Sequence, residues 1–146
     1  MRRYDIDARP DVLVVMSDAA AAAHFTRALR GAGFHAIHAA SYLHARRILS
    51  AERPRLLIAD VRLGDFNGLN LAWHRQLTFP GPTVITDVAH DAVLASEARK
   101  LKAAYLVRPE TDDILAVVFR LLGVRVFATQ VMAVRSKSRA IGRSWN

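Results

Sequence analysis

Among its 146 residues the chain has no cysteine, so it can form no disulfide and use no thiol nucleophile. Nor has it an apolar run near the ~18 residues that a membrane-spanning helix needs, so no membrane partner is expected. The opening Met-Arg-Arg-Tyr-Asp-Ile-Asp puts acids where a signal peptide needs its apolar region. Together these absences fit a cytoplasmic address. Internal repeats and low-complexity tracts are missing too. Six histidines are present but without ligand spacing. His35 and His38, three apart in a candidate strand, leave from opposite faces. His24, His44, His74 and His90 are scattered over separate segments, so no metal is expected from them.

What remains is the composition of an ordinary globular domain, 52% hydrophobic and 23% charged, long enough to bury a sizeable core. The net charge of +8 is uneven. Arg125, Arg135, Lys137, Arg139 and Arg143 face no acid within 124–146, whereas the other 16 basic residues share 1–123 with all 13 acidic ones. Three parts follow: an N-terminal extension over 1–10, a nearly balanced domain over 11–123, and a basic tail over 124–146. The tail offers charge for nucleic acid through counterion release. It carries no helix-turn-helix pattern, however, and is too short for a DNA-binding domain, so a solvated end is the simpler expectation.

The stretch Pro54–Gly68 organises the rest. Leu56, Leu57, Ile58 and Ala59 form an unbroken apolar run, the pattern of a strand buried on both faces of a parallel sheet. The run ends on Asp60 and enters a loop that closes with Asn67-Gly68. Val12–Met16 is a second such run, His35–His38 reads as a weak strand, and Thr83–Asp87 and Ala104–Val107 read as two further strands. Helices are expected between them. Asp18 and Ser41 stand as caps, Leu69, Ala72, Trp73 and Leu77 mark the third helix, and the fourth covers about Asp91 to Lys102. Thr111, with Asp112 and Asp113 in the first turn, starts the last helix, which runs to Gly123. Trp73 and Phe25 are expected in the core.

Five strands alternating with five helices imply a doubly wound, flavodoxin-like α/β fold. Its three α/β/α layers enclose a parallel sheet of order 2-1-3-4-5. Ligands of such folds sit beyond the carboxyl ends of the strands. The residues placed there are Met16, Ser17 and Asp18, then Asp60, Asp87 and Arg108. A flavin or nucleotide site would need a phosphate-cradling loop after the first strand, and Met16-Ser-Asp-Ala-Ala is a poor one.

With these residues in place, 11–123 resembles the receiver domain of two-component response regulators. The resemblance rests on Leu-Leu-Ile-Ala-Asp60-Val-Arg-Leu-Gly-Asp-Phe-Asn-Gly68 and on Ala-Ala-Tyr105-Leu-Val-Arg108-Pro109. It implies that Asp60 is the phosphoacceptor and that Tyr105 is the aromatic that changes rotamer on activation. It places Arg108 at the family's lysine, before Pro109, whose peptide bond the family holds cis. The family's phosphate-sensing hydroxyl aligns with Asp87, or with Thr86 after a one-residue shift.

The departures are equally specific. Where the family holds Mg²⁺ with two acids, this chain has Met16 and Ser17, a thioether and a hydroxyl. Asp18 matches a third, less critical acid, or is simply a helix cap. Magnesium requires hard oxygen ligands in near-octahedral array, so Mg²⁺ would be held weakly, by Asp60 and the backbone of Arg62. Arg108 is expected to clamp Asp60 or Asp87. The function expected is a non-enzymatic receiver in a phosphorelay that acts by protein contact, with Mg²⁺-dependent phosphorylation of Asp60 impaired. The alternative is a phosphorylatable receiver with a rearranged metal site. The implied partners are a sensor histidine kinase or another signalling protein, and a second copy through about 91–123.

Overall fold

The structure, a computed structural model, describes residues 9–123. The N-terminal extension up to residue 8 and the basic tail over 124–146 lie outside the described residues. Within them the chain runs β1 (Val12–Val15), α1 (Ala19–Gly31), β2 (Ala36–Ala39), α2 (Tyr42–Glu52) and β3 (Leu56–Asp60). It continues through β4 (Arg62–Leu63), β5 (Phe66–Asn67), α3 (Gly68–Thr78), β6 (Thr83–Asp87), α4 (Ala92–Lys100), β7 (Ala103–Val107) and α5 (Thr111–Leu122). The main sheet is parallel, in the order β2-β1-β3-β6-β7. Once the small β4–β5 hairpin is set aside, this is the 2-1-3-4-5 order expected from the sequence.

Both faces of the sheet are covered, which is why the central strands read as continuous apolar runs. On one face Val12, Val14, Leu56, Ile58 and Val84 pack with α1 and α5 through Ala22, Leu29, Ile114 and Val118. On the other, Leu13, Val15, Leu57, Ala59 and Ile85 meet α2, α3 and α4 through Ala45, Leu49, Leu71, Ala72 and Ala98. Alternate residues of each strand thus feed opposite cores. No helix among the described residues is long and apolar enough to cross a membrane.

Each helix start has a polar side chain in the role its chemistry suits. Asp18 accepts from the N–H groups of Ala20 and Ala21, Ser41 from His44, Asn67 from Leu69, and Asp91 from Val93 and Leu94. The last helix departs from expectation. Glu110, not Thr111, is its cap residue, and the Asp113 carboxylate accepts the Glu110 N–H at 2.8 Å. Thr111 is the first helical residue, and its hydroxyl lies 2.8 Å from Nε2 of His24 on α1.

Two further expectations are corrected. The segment after Asp60 is not a plain loop: β4 and β5 pair antiparallel, and Gly64 turns between them at φ +63°. Trp73 is not in the core but 57% exposed, with Leu77 65% exposed one turn further on. The buried stripe of α3 is Leu69, Leu71, Ala72 and Arg75, so Trp73 falls on the outward side. Phe25 does pack against the core as expected.

Candidate functional site

Asp60 is the last residue of β3, at the carboxyl edge of the sheet and next to the switch between β1 and β3. Register fixes its neighbours. Val15 pairs with Ala59, so one step further along each strand stand Met16 and Asp60. On the other side Asp60 pairs with Thr86, whose hydroxyl donates a short hydrogen bond to Oδ1 of Asp60. The hydroxyl beside the acid is therefore Thr86, and the unshifted alignment to Asp87 is corrected. Because side chains alternate along a strand, Asp87 must leave β6 toward the opposite face.

The loop after β3 is locked by backbone contacts. Val61 N–H donates to the Thr86 carbonyl at 2.9 Å, and Gly68 N–H to the Val61 carbonyl at 2.7 Å. Gly68 approaches so closely that a Cβ there would lie 1.9 Å from the Asp60 carbonyl oxygen. Only glycine fits. This requirement is invisible in sequence, where Gly68 reads merely as a helix start. Arg62, whose backbone was the other expected Mg²⁺ donor, opens the hairpin two residues past Asp60.

Burial pushes the Asp60 carboxyl above the usual carboxylate range, with the charges of Asp18 and Asp87 adding to that push. The Thr86 hydroxyl and the Ser17 backbone N–H oppose it without cancelling it. Asp60 is half-buried, so it remains open to a small reagent.

The β1 side is different in kind. Met16 is 3% exposed and belongs to the core cluster beneath α1 and α5. Ser17 is exposed, and Asp18 has its Oδ1 committed to the first turn of α1, at 2.9 and 3.2 Å from two amides. Among the described residues no three carboxylates or imidazoles come together as a metal cage. With a thioether in the core, a neutral hydroxyl and a capping carboxylate, the residues present do not fit Mg²⁺.

Asp87 is buried and fully engaged. Its Oδ1 accepts the Val88 N–H at 2.8 Å and its Oδ2 the Tyr105 hydroxyl at 2.6 Å. The same hydroxyl accepts the Asp91 N–H at 3.1 Å, joining β6, β7 and the cap of α4. Desolvation, followed by the bond to Asp87, raises the Tyr105 phenol above its ordinary value. Arg108 makes no clamp on Asp60 or Asp87. Its side chain is exposed and has no hydrogen bond or ion pair among the described residues. Its backbone turns at φ 43° and donates its N–H to the Asp87 carbonyl at 2.7 Å. No peptide bond among the described residues is cis, so the Arg108–Pro109 bond is trans. The turn is made by the left-handed residue before the proline instead.

One buried group escaped the sequence. Arg75 is 2% exposed on α3 and donates to the carbonyls of Pro54 at 2.9 Å and Arg55 at 2.6 Å, tying α3 to the entry of β3. Burial lowers its guanidinium to about 10. It sits at the opposite edge of the sheet from Asp60 and holds the strand that carries the acid.

A doubly wound parallel sheet with an acid at its switch point, backed by a strand-end hydroxyl, defines the class. Comparison with known proteins narrows it. No protein-family model matches the chain. The alginate biosynthesis transcriptional regulatory protein AlgB of Pseudomonas putida is 28% identical over 131 residues, covering 88% of this chain and 29% of that protein. The chain thus spans under a third of that relative's length. Among solved structures, the signal receiver domain of a LuxO-type repressor from Vibrio parahaemolyticus superposes with TM-score 0.71 at 21% identity, covering 78% of this chain and 90% of that one. A response regulator from Burkholderia pseudomallei, crystallised with a phosphorylated aspartic acid and a calcium ion, gives TM-score 0.66 at 22% identity over 87% of this chain and 72% of that one. The chain has the fold of response-regulator receiver domains.

Proposed function

We propose that the chain is a cytoplasmic receiver module of two-component signalling that works by protein contact rather than catalysis, with Mg²⁺-assisted phosphorylation of Asp60 impaired. One observation carries this reading: the acceptor side of the rim keeps Asp60, Thr86 and Gly68, while the β1 side has given its metal-binding positions to a core methionine and a serine. Phosphoryl transfer depends on cations to neutralise the charge developing on the transferred group. Here the guanidinium of Arg108 is turned to solvent, and two further carboxylates raise the charge the group would meet.

Its partners in this reading are a sensor histidine kinase or another signalling protein, together with a second copy docking through about 91–123. That face carries Arg99, Lys100, Lys102 and Arg120 beside Asp112 and Asp113, charges suited to ion pairs across a two-fold axis. Contact of the basic tail with nucleic acid is not part of the proposal. The test is direct: the full chain is incubated with acetyl phosphate and Mg²⁺ and its intact mass measured. Unmodified protein is expected. A stoichiometric acyl phosphate on Asp60, stable in acid and labile in base, overturns the reading.

A second reading retains phosphorelay chemistry with Asp18 or Asp87 turned inward toward a metal. It is favoured by the influence both carboxylates already exert on Asp60. In that case phosphorylation is lost in Asp60→Ala and kept in Asp65→Ala.

A further inference from the structure

β7 is the outer strand of the sheet, half-buried along its whole length, and no strand lies beyond it among the described residues. A groove of about 490 Å³ runs between it and α5. Leu106, Val107 and Pro109 form one wall, and Ala116 and Val117 of α5 form the other. Asp113 and Arg120 also line it, two turns or ~10 Å apart on α5. The groove is therefore apolar along its middle, with an acid toward one end and a base toward the other.

The chain continues from the Arg120 end. α5 stops at Gly123, whose φ of +74° lets the backbone leave the helix axis, and residues 124–146 follow. Of the eleven residues 124–134, eight are apolar and only Arg125 is charged. Val124, Phe127, Val131 and Val134 recur at the spacing of one helix face. Arg135 and Lys137 come next, and no acid occurs anywhere in 124–146. Eleven helical residues cover ~16 Å, enough to return along the groove past Asp113. A segment running antiparallel to α5 brings Arg135 and Lys137 to its first turn, where Asp112 and Asp113 are exposed.

We propose that residues 124–134 fold back along α5 and seat Phe127 and Val131 in this groove, with Arg135 and Lys137 against Asp112 and Asp113. Apolar burial drives the docking, and charge sets its direction. Tethering decides the occupant. The segment begins four residues past Arg120, so its effective concentration at the groove is on the order of millimolar. The groove lies within the face proposed above for a second copy, so a docked tail and a second copy exclude each other. The docking itself does not rest on that reading.

The test is limited trypsin digestion of the full chain, followed by mass spectrometry, with a free peptide of residues 122–132 as reference. Cleavage after Arg125 is expected to be at least tenfold slower in the chain than in the peptide. It is expected to recover at least fivefold in Phe127→Ser and in Ala116→Glu, which changes an exposed residue of α5. Arg135→Glu/Lys137→Glu is expected to recover part of the rate. Cleavage within 9–123 should be unchanged in all three variants, which shows that the domain stays folded. Cleavage after Arg125 as fast in the parent as in the peptide, or slow but indifferent to these substitutions, overturns the proposal. Protection that fades on dilution, with sedimentation showing a dimer, assigns the groove to a second copy and overturns it as well. Variants that lose protection yet stay monomeric support the docking and count against the second-copy reading alone.

Discussion

The two flanks of Asp60 began from the same structural opportunity and met different ends. β1 and β6 both lie beside β3 and both finish at the same edge of the sheet. Past β6, the polar atoms are used for one another: Thr86 on Asp60, Tyr105 on Asp87, Asp91 on the start of α4. Past β1, the first side chain turns inward and is packed, and the third caps a helix. A position at a strand end thus serves either the core or the rim, and its chemistry follows from which side the chain assigns it. The missing negative charge is a packing decision as much as a change of ligand.

The largest test of this contrast is Met16→Asp. It places a carboxylate where a thioether is 3% exposed, and a loss of about 4 kcal/mol in urea unfolding is expected because the buried charge finds no partner. A near-neutral result would mean that the β1 end is open to the rim after all. On the other flank, Gly68→Ala is expected to cost about 3 kcal/mol, since its Cβ meets backbone that cannot rotate away. Tyr105→Phe comes next, at about 2 kcal/mol, because a buried carboxylate oxygen of Asp87 loses its donor at 2.6 Å. Hydrogen exchange at Asp91 and Val93 should quicken in the same variant, as the cap of α4 is held through that phenol.

Smaller effects sharpen the comparison. Asp60 has a raised value in the fold, so its protonated form favours the folded state. That benefit is complete below the ordinary carboxylate value of 3.8 and is lost as pH rises through the raised one. Asp60→Asn is therefore expected to be more stable than the parent at pH 7, with the gap closing toward pH 4. A gap independent of pH would contradict the burial of that carboxyl. Smallest of all, Ser17→Asp at an exposed position should change stability by less than about 0.5 kcal/mol without metal. It should also introduce a Mg²⁺-dependent rise in Tm that Asp60→Asn removes.

Much of the fold was legible in the residues. Unbroken apolar runs mark strands buried on both faces, and Asp18, Ser41 and Asp91 announce helix starts through chemistry local to a few residues. The site was legible in part. Asp60 could be found at a strand end, but whether Thr86 or Asp87 faces it depends on register, and a slip of one residue exchanges the two faces. Arg108 shows the same limit, since a guanidinium after a strand is equally able to clamp an acid or face solvent. Trp73 was misplaced because α3 buries only a narrow stripe, and apolar character alone does not say which side of a helix is covered.

The sequence by itself determined the alternation of strands and helices, the acid at the end of the third strand, and the absence of acids where a divalent cation would be gripped. Those are properties of short segments, set by side-chain type and spacing. Only the tertiary structure decided that Met16 belongs to the core, that Thr86 is the hydroxyl on Asp60, that Tyr105 fastens Asp87, and that Arg75 is buried beneath the strand carrying the acid. The reason is physical: each of these contacts joins segments far apart in the chain, and their meeting depends on sheet register and helix packing, which no local pattern encodes.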